Sequence, residues 1–236
     1  MLKKLLLGLI PFIIIIIVAI MIMSNQQKEE AVNKHEELVA LGDSLTHGVG
    51  DESGEGYTDN LQKVLTDNQH DTVTVHNYGI PGQQTDGLLA QIQDSDVRER
   101  INNADYLIIF IGTNDLIKHN GGDLTEINEE RILEGKKDYT NNLEDILSII
   151  REENADVPVL FLGLFNPYPD SDEMEEVVTN WNKNTQDVIG EDERTKFIST
   201  NDLFKEKSTE YFSDELHPNE HGYDLITQKI LSEYDF

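Results

Sequence analysis

Four short segments carry side chains whose types and spacing suit acyl transfer. Gly42-Asp43-Ser44-Leu45-Thr46 sets a serine hydroxyl in a glycine turn, a position from which it can act as a nucleophile if a base takes its proton. Asp214-Glu215-Leu216-His217-Pro218-Asn219 supplies such a base, an imidazole three residues after a carboxylate that can hold it in one tautomer. Gly112-Thr113-Asn114-Asp115 offers an amide donor for a developing oxyanion, with Asp115 placed to cap the helix that follows. Asn77-Tyr78-Gly79-Ile80-Pro81-Gly82 is a glycine turn whose backbone amides can come close to a ligand. Taken singly, each has an ordinary structural reading: a helix N-cap, a turn, a turn again, and a loop leading into a helix begun by Pro218.

The elements that must position these segments alternate between strands and helices. Leu38–Leu41, Thr72–Val75, Tyr106–Ile111, Val157–Leu162 and, more weakly, Lys196–Ser199 are apolar or β-branched runs of strand length. Helical spacing falls between them, at Leu61, Val64 and Leu65; at Leu88, Leu89 and Ile92; at Leu143, Ile146, Leu147 and Ile150; and at Tyr223, Ile226, Ile230 and Leu231. Continuous apolar strands separated by helices indicate a parallel sheet covered on both faces. The expected fold is therefore α/β, a three-layer α/β/α sandwich around about five parallel strands. Ligands in such folds bind beyond the carboxyl ends of the strands, where three of the four segments lie, the fourth, Asp214 to Asn219, standing beside the last helix.

In chain order the segments resemble the four blocks of the GDSL, or SGNH, hydrolase family. Gly42-Asp43-Ser44-Leu45 is similar to its first block, Asn77 to Gly82 to its second, Gly112 to Asp115 to its third, and Asp214 to His217 to its Asp-x-x-His block. The resemblance runs from about Leu38 to the C-terminus and is closest to the lipase/acylhydrolase group of Bacillus-like Gram-positive bacteria. It implies a flavodoxin-like fold and a serine ester hydrolase working through an acyl-enzyme. It makes Ser44 the nucleophile, His217 the base and then acid, and Asp214 the group that orients His217. It implies an oxyanion hole made by the backbone N–H groups of Ser44 and Gly82 and the amide of Asn114, with Gly79 the alternative to Gly82. It implies no cofactor.

Other chemistries find little support. Without cysteine there is no disulfide framework, thiolate metal site or cysteine nucleophile. His217 and His221 are four apart, but Pro218 intervenes and no third ligand is close in sequence, so no metal site is expected. His35, His47, His70, His76 and His119 lie in no comparable pattern, although His47 adjoins the serine turn. Neither a Walker motif nor G-x-G-x-x-G follows the first strand. Trp181, with Val177 and Val178, fits helix packing. The chain of 236 residues has 46 acidic and 18 basic side chains, a formal charge of −28, which argues against nucleic acid as a partner.

Residues 1–23 read as an N-terminal transmembrane helix, 24–36 as a polar tether and 37–236 as the hydrolase domain. The 19 uncharged residues Leu5–Met23 would span about 28 Å as a helix, near the thickness of a bilayer core. Lys3 and Lys4 before them place the N-terminus in the cytoplasm and the body on the extracytoplasmic side of a single-pass membrane protein. A cleaved signal peptide, and with it secretion, is the alternative. Leu116, Ile117, Phe165 and Tyr168 form either an apolar wall for an acyl chain or ordinary packing. Membrane tethering favours lysophospholipids or short-to-medium acyl esters; an O-acetyl esterase of cell-wall carbohydrate, or a non-catalytic surface-binding domain, is the competing reading.

Overall fold

The computed structural model describes residues 35–69, 72–124, 126–205 and 210–236, together with Ile16. Apart from Ile16, the apolar run Leu5–Met23 and the polar stretch as far as residue 34 lie outside these residues. Among the described residues no helix is long and apolar enough to cross a membrane.

Five strands, β1 (His35–Gly42), β2 (Thr72–Gly79), β3 (Tyr106–Phe110), β4 (Val159–Leu162) and β5 (Thr195–Ile198), form one sheet in the order β2-β1-β3-β4-β5. Every pairing is parallel. β1 begins at His35, inside the stretch read as a tether, because His35 and Glu36 already pair with Thr72 and Val73. The helices are α1 (Ser44–His47), α2 (Gly56–Gln69), α3 (Thr85–Gln91), α4 (Ser95–Asn103), α5 (Thr113–Asn120), α6 (Glu129–Glu153), α7 (Asp172–Ile189) and α8 (Glu220–Glu233).

The alternation of side chains along each strand divides the core in two. Val39, Leu41, Leu107, Ile109, Val159 and Phe161 face a layer built from α3 to α7, including Leu88, Ile101, Leu143, Ile146, Ile150 and Trp181. Leu38, Ala40, Ile108, Phe110, Leu160 and Leu162 face the opposite layer, with Leu45, Tyr57, Leu61, Tyr223, Ile226 and Ile230 of α1, α2 and α8. Both faces are covered, so the inner strands β3 and β4, and β1 from Leu38, are apolar without alternation, while the edge strands β2 and β5 keep polar, partly exposed positions, and the three-layer sandwich follows.

The strand order places a topological switch between β1 and β3. The chain leaves β1 toward β2 on one side and returns to β3 on the other, opening a crevice at their carboxyl ends. Gly42 is level with Gly79 of β2 and Phe110 of β3, so the first three of the four segments emerge side by side.

Candidate active site

Ser44 begins α1 immediately after β1, and Asp43 is the N-cap, its Oδ1 accepting the Leu45 N–H at 2.9 Å. The short helix is fastened from three directions. The Asn77 amide donates to the Thr46 carbonyl at 2.8 Å and to Thr58 Oγ1 at 3.0 Å. The Thr46 and Tyr57 hydroxyls meet at 3.0 Å in the core, and the His47 ring touches the Gly79 carbonyl at 3.2 Å. Ser44 retains 7% of its surface.

The fourth segment arrives from 173 residues away. His217 Nε2 stands 3.0 Å from Ser44 Oγ, and its Nδ1 is 2.7 Å from Asp214 Oδ2. Asp214 Oδ1 also accepts the backbone N–H groups of Leu216 and His217, both at 2.7 Å, which closes the loop into a fixed turn. Partial burial raises the Asp214 carboxyl, but those two amides and the imidazole outweigh it and hold Asp214 below the ordinary carboxylate range. The Ser213 N–H donates to the His217 carbonyl at 3.0 Å, and the buried Tyr223 hydroxyl donates to the Val49 carbonyl at 2.7 Å, tying α8 to the loop after α1. Helix α8 starts at Glu220 under an Asn219 cap; Pro218 precedes the cap rather than opening the helix.

The two glycines of the second segment differ. A Cβ on Gly79 would lie 2.3 Å from the His47 backbone nitrogen, so only glycine lets β2 approach the serine turn this closely. The Gly79 N–H is occupied by Asn77 Oδ1 at 2.9 Å. Gly82 has φ +79°, a conformation that disfavours other residues, and open space where a Cβ would stand.

Asn114, the second residue of α5, turns its amide toward the crevice floor. It donates to Asp43 Oδ2 at 3.0 Å and to the Gln83 carbonyl at 3.1 Å. Asp115 does not cap its own helix. It caps α3, accepting the Thr85 N–H at 3.1 Å and the Thr85 hydroxyl, and burial raises its carboxyl. Asp43, 1% exposed, is pushed up to about 7, first by burial and also by the nearby Asp115 charge.

Of the four residues suggested as an apolar wall, Leu116 and Phe165 are packed into the two cores, Phe165 against Phe204 and Phe212. Ile117 and Tyr168 remain partly exposed, and the Tyr168 hydroxyl donates to Glu215 beside Asp214 at 3.3 Å. Ile80, 45% exposed, stands two residues from Gly82. Sequence patterns had not singled out Gln83, which is buried, uses its carbonyl for Asn114 and sends its side-chain amide to Gln91 at 2.8 Å. Among the described residues no group of three His, Cys, Asp or Glu is placed to hold a metal ion.

The GDSL-like lipase/acylhydrolase family matches residues 40–225. The chain is 34% identical over 210 residues to the uncharacterized protein YpmR of Bacillus subtilis (strain 168), covering 86% of this chain and 82% of that one. It is 28% identical over 200 residues to the spore germination lipase LipC of Bacillus licheniformis, covering 82% and 94%. Among solved structures, the lipase Lip_vut3 from a goat rumen metagenome superposes with a TM-score of 0.76 at 27% identity, over 84% of this chain and 96% of that one.

Proposed function

Because the chain belongs to the GDSL-like lipase/acylhydrolase family and is a carboxylic ester hydrolase, we propose that it cleaves lipid-type acyl esters, lysophospholipids or short-to-medium chains, through a Ser44–His217–Asp214 triad. The observation that carries this reading is the continuous chain of contacts from Ser44 Oγ to His217 Nε2 at 3.0 Å and from His217 Nδ1 to Asp214 at 2.7 Å.

His217 Nε2 takes the proton from Ser44 Oγ as that oxygen bonds to the ester carbon. The carbonyl oxygen becomes an anion, received by the backbone N–H groups of Ser44 and Gly82 and by Asn114, whose second N–H leaves the Gln83 carbonyl for it. The carbon–alkoxy bond then breaks, and the departing oxygen takes the proton from His217. Water then bonds to the acyl carbon as His217 takes its proton, the bond from that carbon to Ser44 Oγ breaks, His217 gives the proton to Oγ, and the carboxylic acid leaves. Asp214, anionic wherever imidazole can act as a base, keeps the proton on Nδ1 and stabilises the cation. The Gly79 N–H is given to Asn77, which favours Gly82 as the oxyanion donor.

The lipid preference is supported by the exposed Ile80 beside Gly82 and by the partly exposed Ile117 and Tyr168. Two relatives at 27% and 28% identity are lipases by name. The same reading holds the domain on the extracytoplasmic face of the cell membrane through Leu5–Met23, on the strength of that apolar run and the preceding Lys3 and Lys4.

Hydrolysis of p-nitrophenyl esters from acetyl to palmitoyl tests this, with Ser44→Ala alongside. The expected result is a rate optimum beyond acetyl that disappears in the variant. Equal rates in folded Ser44→Ala would reject the triad, and an optimum at acetyl would reject the lipid preference.

A further inference from the structure

Asp43 has no part in the proton transfers above, yet it is a buried carboxylate directly before the nucleophile. Among the described residues it has no basic partner. Its two oxygens go instead to a backbone amide and a carboxamide, with the Asp115 charge nearby as a further cost. An uncompensated acid in such a place is unfavourable for the fold.

What it does there follows from the two oxygens. Oδ1 caps α1 through the Leu45 N–H at 2.9 Å, and Oδ2 accepts from Asn114 at 3.0 Å. One carboxylate therefore spans the exits of β1 and β3 and links the helix bearing Ser44 to the amide of Asn114. A primary amide has two nearly isosteric ends, one donating and one accepting, and its terminal torsion is soft. An anionic carboxylate only accepts, so it admits the –NH₂ end of Asn114 and excludes the carbonyl end. The Gln83 carbonyl makes the same selection from the other side at 3.1 Å.

We propose that Asp43 is a positioning residue, which fixes the flip of the Asn114 amide so that an N–H, not the carbonyl, is the group that passes from the Gln83 carbonyl to the oxyanion. The inference rests on the triad and oxyanion reading above. Asparagine at 43 would keep the volume but present an –NH₂ group to one of the two donors, so it must give up one contact. Serine at 43 keeps a cap acceptor for Leu45 and is too short to reach Asn114.

The test is a double-mutant cycle on a p-nitrophenyl ester at pH 8, where Asp43 is mostly ionised. The variants are Asp43→Asn, Asp43→Ser, Asn114→Ala and the two double variants, each checked by thermal unfolding. Asn114→Ala is expected to lower kcat by about 10². Each Asp43 variant should lower kcat by about 10-fold or more, with KM within about threefold. Added to Asn114→Ala, either should cost less than about threefold further, because the group they act through is already gone. A purely structural role would instead multiply the losses. Multiplicative losses, or a loss confined to KM, overturn the inference and leave the triad standing. Full activity in Asn114→Ala overturns both the inference and the oxyanion assignment.

Discussion

Replacing Asp214 with asparagine separates its orienting role from its charge. Oδ1 accepts only the Leu216 and His217 backbone amides, and an asparagine carbonyl can continue to do so, leaving the turn intact. Its –NH₂ then occupies the place of Oδ2, 2.7 Å from His217 Nδ1. Two donors cannot share that contact, so the imidazole moves its proton to Nε2, which faces Ser44 Oγ and is no longer a base. The productive tautomer forfeits one hydrogen bond and suffers a donor clash, together about 3 to 4 kcal/mol, which lowers its population by about 10² to 10³. In a fully buried triad the same exchange costs about 10⁴. Here the Asp214 side chain is 55% exposed, and water moderates the effect. The same exposure predicts that Asp214→Ala is the milder change, a loss of about 10 to 10², since water can accept from Nδ1–H without dictating the tautomer. The assay is kcat on a p-nitrophenyl ester at pH 8, with thermal unfolding to verify the fold. An asparagine variant as active as the alanine variant, or one retaining more than a tenth of wild-type kcat, would refute the orienting role.

Gly79→Ala places a Cβ 2.3 Å from the His47 nitrogen and should prevent stable folding, whereas Gly82→Ala meets open space and should cost only the strain of φ +79°, about 1 to 2 kcal/mol; equal thermal midpoints for the two would contradict this contrast. The raised Asp43 gives a pH signature: between its ordinary 3.8 and about 7 the folded protein holds a proton that the unfolded chain has released, so stability falls as pH rises across that window, by about 4 kcal/mol. Asp43→Asn lacks this titration while keeping Asp115, Tyr57 and Tyr223 around the site. The variant's thermal midpoint relative to wild type should therefore climb from pH 4 to pH 8, and a constant difference would refute it.

The sheet was largely legible because its inner strands are buried on both faces. Leu38–Leu41, Tyr106–Ile111 and Val159–Leu162 are unbroken apolar runs, which little else in a chain of this kind produces. Helix α4 was not read from the sequence, because only Val97 and Ile101 are buried and one pair four residues apart makes no periodic pattern. Helix α5 begins at Thr113, inside the asparagine turn and two residues before the Asp115 expected to cap it, because the turn residues already adopt helical backbone. The start of β1 was placed late because His35, Glu36 and Glu37 are charged or titratable; their strand conformation comes from pairing with Thr72, Val73 and Thr74, a partner strand the local pattern does not show.

The site divides along the same line. Residue type made Ser44, Asn114, Asp214 and His217 candidates, and the resemblance of their four segments to the family's blocks supplied the roles proposed for them. The supporting contacts depend on what lies opposite, over sequence separations from 11 residues (Thr46 to Tyr57) to 174 (Val49 to Tyr223). Asp115 is the clear instance: its position near the start of α5 suggested a cap for that helix, yet it caps α3 through Thr85, 30 residues earlier. Asp43 satisfies its local role with Oδ1 at Leu45, and nothing nearby in sequence reveals that Oδ2 reaches Asn114, 71 residues on. Capping alone would be served by serine or threonine without burying a charge. Neither has a second acceptor extended far enough to bridge the strand exits, so the carboxylate at 43 is explained by the span it covers.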